Sequence, residues 1–359
     1  MSAVNSLTSP ILIAGPCAAE SRQQVLSIAN QLKDSGISYF RSGVWKPRSR
    51  PGTFEGIGVE ALEWLQEVHQ TYHIKPIVEV ANTQHAEEII KAKIPAVWIG
   101  ARTTVNPFLV SEIAEALRGT SIKVMVKNPV NPDLELWIGA IERLMKVGIH
   151  VEAAIHRGFS QYGAHQYRNE PAWEIPLELM RRLPGMAVLC DPSHIGGSRS
   201  LLYDLSQKAA DLGYNGLMIE THNNPSEALS DQAQQLTPEA FISLIQAIVW
   251  RKAEITDPVS RHSLEQLRTL IDGIDHRIII LIADRMELAK KIGFVKKEQD
   301  IQIYQPERWN TILQNVKQWS QENQLSEDLM TKLFEFIHQE SIRKQSMVMY
   351  GKVIEPTES

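Results

Sequence analysis

The sequence predicts an α/β protein, a (β/α)8 TIM barrel followed by an all-α helical domain that dimerises. Three observations lead there. Eight short apolar runs recur through roughly the first 250 residues, with amphipathic helical patterns between them. Of the 20 glycines and 18 prolines, 17 and 15 fall before residue 250. From 263 to 350 only two glycines and one proline interrupt a sustained helical periodicity. The expected domains are therefore 1-250, a polar connection at 251-262, and 263-359. A doubly wound open sheet is the alternative for the first part, since periodicity alone does not show closure.

The eight runs, in order, are "PILIAG", "YFRSGV", "KPIVEV", "AVWIG", "KVMVK", "HVEAAIH", "MAVLCD" and "GLMIE". The helix after the first opens on a Ser-x-x-Gln box at Ser21 and Gln24 and stops by Gly36. In "NPDLELWIGAIERLMKVG" Asn131 is the expected N-cap, Pro132 the first helical residue and Gly148 the end. Beyond Ser263 apolar residues from Leu264 to Ala289 keep helical spacing. They predict a helix over 263 to 297, about 50 Å long at 1.5 Å per residue, too long to be buried alone. It needs a partner chain or a bundle. Helices over 306 to 322, after Pro306, and over 326 to 348, opened by "SEDL", follow.

With 359 residues, 43% hydrophobic, 22% charged and a net charge of −5, the chain has an ordinary globular composition, and bulk nucleic-acid binding is not expected. The N-terminus lacks a signal-peptide pattern, and no apolar run approaches the ~18 residues a membrane span needs, so a cytoplasmic protein is expected. Cys17 and Cys190 make no disulfide framework. Cys190 reads as core packing.

The chemistry of a barrel sits where strands run out into βα loops. Those ends carry Cys17, Arg41 and Lys46, Arg102, Lys127, Arg157, His194, and Glu220 with His222. A lone arginine at a strand end is ordinarily a solvated surface charge. Five cations from four strand ends converging on one mouth repel one another unless anions occupy it, and arginine forks suit phosphate oxygens. The stretch "RSGVWKPRSRPG" adds three arginines and a lysine to one loop stiffened by two prolines, presenting Lys46, Arg48 and Ser49 to phosphorylated, acidic small molecules. Cys17, His194, Glu220 and a nearby aspartate form a donor set suited to Mn, Fe, Co or Zn over Mg or Ca.

With these residues assembled, "AGPCAAES", "KPRS", "GAR", "CDPSHIGG" and "IETHNNPSEALSDQAQQL" resemble the 3-deoxy-D-arabino-heptulosonate 7-phosphate (DAHP) synthases of the compact type I beta subclass over about residues 8 to 250. The resemblance implies a divalent metal, Mn2+ first among the candidates, held by Cys17, His194, Glu220 and Asp231. It implies phosphoenolpyruvate bound by Arg41, Lys46, Arg102, Lys127 and Arg157, with Lys46 also relaying a proton, and the phosphate of erythrose 4-phosphate met by Arg48 and Ser49. Arg50 departs from the small polar residue usual after "KPRS". Pro47 favours the DAHP product over the eight-carbon KDO 8-phosphate, whose synthases carry Asn there. A metal-dependent aldolase of other sugar phosphates is a weaker alternative.

On the long helix Arg285 and Lys296 are three turns apart and share a face, whereas Arg268 lies about 42 Å from Lys296. If all three serve one small dianion, Arg268 comes from a second subunit. The stretch from "LRTLIDGIDHRIIILIADRMELAKKIGFVK" through "PERW" and "ESIRKQ" resembles the all-helical chorismate mutases. That resemblance implies chorismate held by Arg285, Arg308 and a partner's Arg268, with Lys296 and Gln345 donating to the breaking ether oxygen and Ser341 one turn before Gln345. Trp309 stands where many members have a glutamate for the substrate hydroxyl. A non-catalytic dimerisation module is the alternative. Tethering an early reaction to a branch reaction that consumes the distant end product points to regulation, with prephenate as the expected effector of the synthase.

Overall fold

The computed structural model describes residues 9–46, 52–163, 165–252 and 254–351. The chain divides into two compact units, Met1–Ala253 and Glu254–Ser359. The loop residues expected to meet a sugar phosphate, Arg48 and Ser49, and their neighbour Arg50 lie outside the described residues.

In the first unit each of the eight apolar runs forms a strand: β1 (Ile11–Gly15), β2 (Tyr39–Arg41), β3 (Lys75–Val80), β4 (Ala96–Ile99), β5 (Lys123–Lys127), β6 (Val151–His156), β7 (Val188–Cys190) and β8 (Gly216–Glu220). They pair in chain order, all parallel, and β8 closes on β1, so the barrel is closed and the open sheet is excluded. Alternation along the strands divides the apolar side chains into two sets. Ile13, Ile77, Trp98, Met125, Leu189 and Met218 fill the barrel, while Leu12, Ala14, Val78, Val97, Val124 and Val126 belong to the core shared with the surrounding helices.

The first helix, Arg22–Leu32, is capped by Ser21, whose side chain accepts from the Gln24 backbone N–H. The helix expected from Asn131 starts later. It spans Leu134–Lys146, with Asp133 as its N-cap, because the Asp133 carboxylate accepts from Leu136 N–H while Asn131 and Pro132 form a preceding turn closed by the Asp133 N–H. Both cysteines are buried free thiols, Cys190 within β7.

Among its described residues the second unit is three helices: Pro258–Glu298, Pro306–Glu322 and Glu327–Tyr350. The long helix takes in 258 to 262 of the expected connection, because Asp257 caps it and Pro258 occupies its first turn. Where the last helix passes the long one, Gly293 allows close approach. A Cβ there would lie 3.1 Å from the Gln345 Cα. Among the described residues no helix is long and apolar enough to cross a membrane.

Candidate active sites

The carboxyl ends of β1, β2 and β8 meet through one buried ion pair. Arg41, the last residue of β2, donates from Nη2 to Glu220 Oε1 at 3.0 Å, with both side chains at most 1% exposed. Two further Arg41 nitrogens, Nε and Nη1, are buried without a hydrogen-bond partner among the described residues. Buried donors of this kind cost about 1–3 kcal/mol each, which an anion arriving in the mouth recovers. The Arg41 guanidinium lies 5.3 Å, and Lys127 Nζ 5.6 Å, from the ring centre of Trp98, whose indole makes an aromatic floor.

Beside Glu220, ligand atoms of Cys17, Glu220 and Asp231 lie within 4.8 Å of one another. Cys17 follows β1, and its Sγ is 3.1 Å from Asp231 Oδ2. Asp231 is held with φ at +52°, a conformation non-glycine residues seldom adopt, and Arg168 fixes its other oxygen at 2.9 Å. The Gln234 amide donates to Glu220 Oε2 at 2.7 Å. His194 borders the trio, with Nε2 3.8 Å from Glu220 Oε1. Its Nδ1 lies 2.8 Å from Asp191 Oδ2, a contact that turns Nε2 toward the trio. Asp191 also caps the five-residue helix carrying His194 and accepts from Lys127 Nζ at 2.7 Å. A thiol, two carboxylates and an adjacent imidazole make a borderline donor set that fits a first-row divalent ion.

Lys46 reaches the same point. Its Nζ donates to the Cys17 carbonyl at 2.9 Å and to Cys17 Sγ at 3.0 Å. Gly43 makes this path possible, since a Cβ there would sit 2.6 Å from the Cys17 carbonyl oxygen and 2.9 Å from Lys46 Cδ. On the far side of the mouth, Arg157 Nη1 donates to Asn169 Oδ1 at 2.8 Å. Arg102 sits in the short helix Ala101–Thr104 after β4.

The electrostatics follow the packing. Burial, then Glu220, pushes the Cys17 thiol up to about 12. Burial also opposes ionisation of Asp191, yet His194, Lys127 and Arg41 hold its carboxyl well below the usual carboxylate range. Burial, with Arg168 and Arg102 nearby, brings Arg157 down to about 10. Asp191 is the foremost carboxylate pulling the other way. A cavity of about 490 Å³ opens beside Asp231, lined by Arg168, Gly197, Ser230 and Gln234 among others.

In the second unit Arg285 Nη1 donates to Ser341 Oγ, and Ser341 Oγ to the Ile337 carbonyl at 2.7 Å. Lys296 is 8% exposed, with Nζ on the Ile303 carbonyl at 2.5 Å. Gln345 is 7% exposed and its Oε1 is buried without a hydrogen-bond partner among the described residues. Burial, and after it Arg308, lowers Arg285, so the Arg308 guanidinium is close enough to be felt. Arg268 does not join them. It pairs with Glu265 on the same exposed helix face at 2.6 Å.

Sequence reasoning gathered the cations and metal-type ligands but missed Trp98, Asp191, Arg168 and Asn169. Asp191 had a visible signal, the "DPSH" in which an aspartate precedes a proline at the start of a helix turn. Trp98 reads as ordinary core.

A closed parallel barrel whose strand ends gather buried cations beside a thiol–carboxylate group defines an enzyme of anionic small molecules, with a donor set of the kind that holds a divalent ion. The DAHP synthetase I family matches residues 7–257, and chorismate mutase type II matches residues 267–346. The chain belongs to the DAHP synthetase I family and carries a chorismate mutase domain in the residues that follow. It is similar to the phospho-2-dehydro-3-deoxyheptonate aldolase of Thermotoga maritima, 29% identical over 235 residues, covering 66% of this chain and 68% of that one. It is also similar to the 2-dehydro-3-deoxyphosphooctonate aldolase of Wolinella succinogenes, 27% identical over 274 residues, 67% of this chain and 98% of that one. The crystal structure of the Thermotoga DAHP synthase superposes with a TM-score of 0.60 at 29% identity, covering 66% of this chain and 67% of that one. A truncated form of a DAHP synthase from the same organism gives 0.58 at 27% identity, covering 66% and 84%. The chain is a DAHP synthase and a chorismate mutase in one polypeptide.

Proposed function

We propose that the barrel condenses phosphoenolpyruvate with erythrose 4-phosphate to give DAHP and phosphate, and that the helical unit rearranges chorismate to prephenate in a homodimer. The observation that carries the first part is Arg41, buried, paired to Glu220 on one nitrogen and, among the described residues, without a hydrogen-bond partner on two others. Its free nitrogens, with Lys46, Arg102, Lys127 and Arg157, receive the carboxylate and phosphate of phosphoenolpyruvate, and Trp98 supports the guanidinium from below. Arg48 and Ser49 meet the phosphate of the second substrate.

Cys17, His194, Glu220 and Asp231 would hold the divalent ion, Mn2+ by preference, with Fe2+, Co2+ or Zn2+ as substitutes. A bound ion supplies Lewis acidity to the aldehyde oxygen. C3 of phosphoenolpyruvate then forms the new bond to the aldehyde carbon, water adds at C2, and the C2–O bond to phosphate breaks. Lys46, hydrogen-bonded at Cys17, is placed to give a proton to the developing alkoxide. Loss of phosphoenolpyruvate absorbance on adding erythrose 4-phosphate tests this. A protein that instead consumes only arabinose 5-phosphate would contradict it.

For the mutase, Arg285, Arg308 and the Arg268 of a second subunit hold the two carboxylates, with Ser341 orienting Arg285. Lys296 and Gln345 donate to the ether oxygen as its charge grows, each contributing on the order of 3 kcal/mol. The support for a dimer is the long helix itself. Leu267, Leu270, Ile271, Ile274 and Ile278 are 46–65% exposed along it, beside the stranded Arg268. Prephenate bound in the helical unit lowers synthase activity, which gives the fusion a regulatory purpose. Metabolites of this kind are cytoplasmic, and so is the protein.

A further inference from the structure

One nitrogen in the mutase site has no role in the assignments above. His338 precedes Ser341 by three residues and Gln345 by seven on the last helix, and so shares their face. Its Nε2 is buried and has no hydrogen-bond partner among the described residues. The ring lies on Trp309, centroids 4.1 Å apart and planes 13° from parallel, and Tyr304 packs against it at 6.2 Å. The imidazole is thereby fixed in orientation by the two rings packed against it. Burial first, then Arg285 and Lys296, hold it below the ordinary histidine value, so at neutral pH it carries one N–H and one lone pair.

Chorismate offers two carboxylates, an ether oxygen and one ring hydroxyl. Arginines suit the carboxylates, and Lys296 with Gln345 the ether oxygen. Ser341 Oγ is already taken by Arg285 and the Ile337 carbonyl. Trp309 offers a single indole N–H and no acceptor, and its face is taken up by the His338 ring. We infer that His338 is a substrate-contacting, specificity-determining residue of the mutase, its Nε2 hydrogen-bonding the ring hydroxyl of chorismate while Trp309 holds the imidazole in place. This rests on the assignment of Arg285, Lys296 and Gln345 to chorismate.

The test compares the full-length wild type with His338→Leu and His338→Gln, on chorismate and on an analogue with hydrogen in place of the ring hydroxyl. The wild type is expected to prefer chorismate by about tenfold in kcat/KM, the worth of one hydrogen bond to an otherwise unpaired buried group. H338L loses about tenfold on chorismate and nothing on the analogue, and H338Q recovers most of that loss. Equal wild-type turnover of the two substrates overturns the inference, whatever the variants do. So does an H338L variant that keeps full activity on chorismate or loses equally on both substrates, or an H338Q variant that recovers nothing. A wild type with no mutase activity at all would instead sink the assignment of the site.

Discussion

Lys46 Nζ stands 3.0 Å from Cys17 Sγ and 2.9 Å from the carbonyl of the same residue, so the lysine expected to move a proton is tied to the residue expected to bind the metal. Cys17 and Glu220 raise its affinity for a proton against the burial that opposes it. Lys46→Met should lower synthase kcat by about a hundredfold or more, the usual worth of a positioned proton donor. Mutase activity of the same protein should be unchanged, measured in parallel by chorismate absorbance. A K46M protein with normal synthase kcat would remove the lysine from the mechanism.

Arg41 and Glu220 form a charge pair sealed from water. Breaking such a pair from one side leaves a bare buried charge and costs about 3–5 kcal/mol. Arg41→Ala should therefore unfold the barrel at markedly lower temperature. Arg41→Lys, which keeps the charge but not the fork, should fold and show a raised KM for phosphoenolpyruvate. Thermal unfolding and steady-state kinetics separate the two effects.

The helical unit predicts complementation between subunits. Arg268 lies 17 residues before Arg285, about 25 Å along the helix, and cannot reach its own chain's site. Arg268→Ala and Lys296→Ala proteins should each be nearly inactive as mutases. Mixed and refolded together, they should regain a fraction of the activity, because some mixed dimers pair an intact Arg268 with an intact Lys296. Absence of any recovery would place the site within one chain.

His156 gives the barrel a pH dependence of defined sign. It is fully buried between the Pro171 carbonyl at 2.7 Å and the Tyr214 hydroxyl at 2.9 Å, and burial lowers it to about 4. Below the ordinary histidine value the unfolded chain takes up a proton that the folded barrel refuses. The stability it gives is complete above about pH 6.5 and is lost as the pH falls toward 4, by up to about 3 kcal/mol. Urea unfolding of wild type between pH 7 and 4.5 should lose stability faster than that of His156→Gln. Equal slopes would contradict this.

Much of this was legible before the fold was known, for unequal reasons. The eight strands could be read because parallel strands buried on both faces are unbroken apolar runs, and their ends named the cations and Cys17 without any alignment. Ring closure was not legible, since pairing of β8 with β1 is a long-range choice that leaves no local mark. Arg168 lies in the irregular stretch between β6 and the next helix, where no periodicity says which way a side chain points. Trp98 belongs to a fully buried strand, and only the barrel's closure turns its ring beneath Arg41 and Lys127. Asn131 lost the cap to Asp133 because two capping residues two positions apart are equivalent on sequence, and the turn through Pro132 decides between them.

The most direct test strips the full-length protein of metal with EDTA and follows both reactions in one preparation. Consumption of phosphoenolpyruvate with erythrose 4-phosphate should stop and return when Mn2+ is added, while chorismate consumption continues throughout at an unchanged rate. Phosphoenolpyruvate consumption that persists in the stripped protein would contradict the role given to Cys17, His194, Glu220 and Asp231.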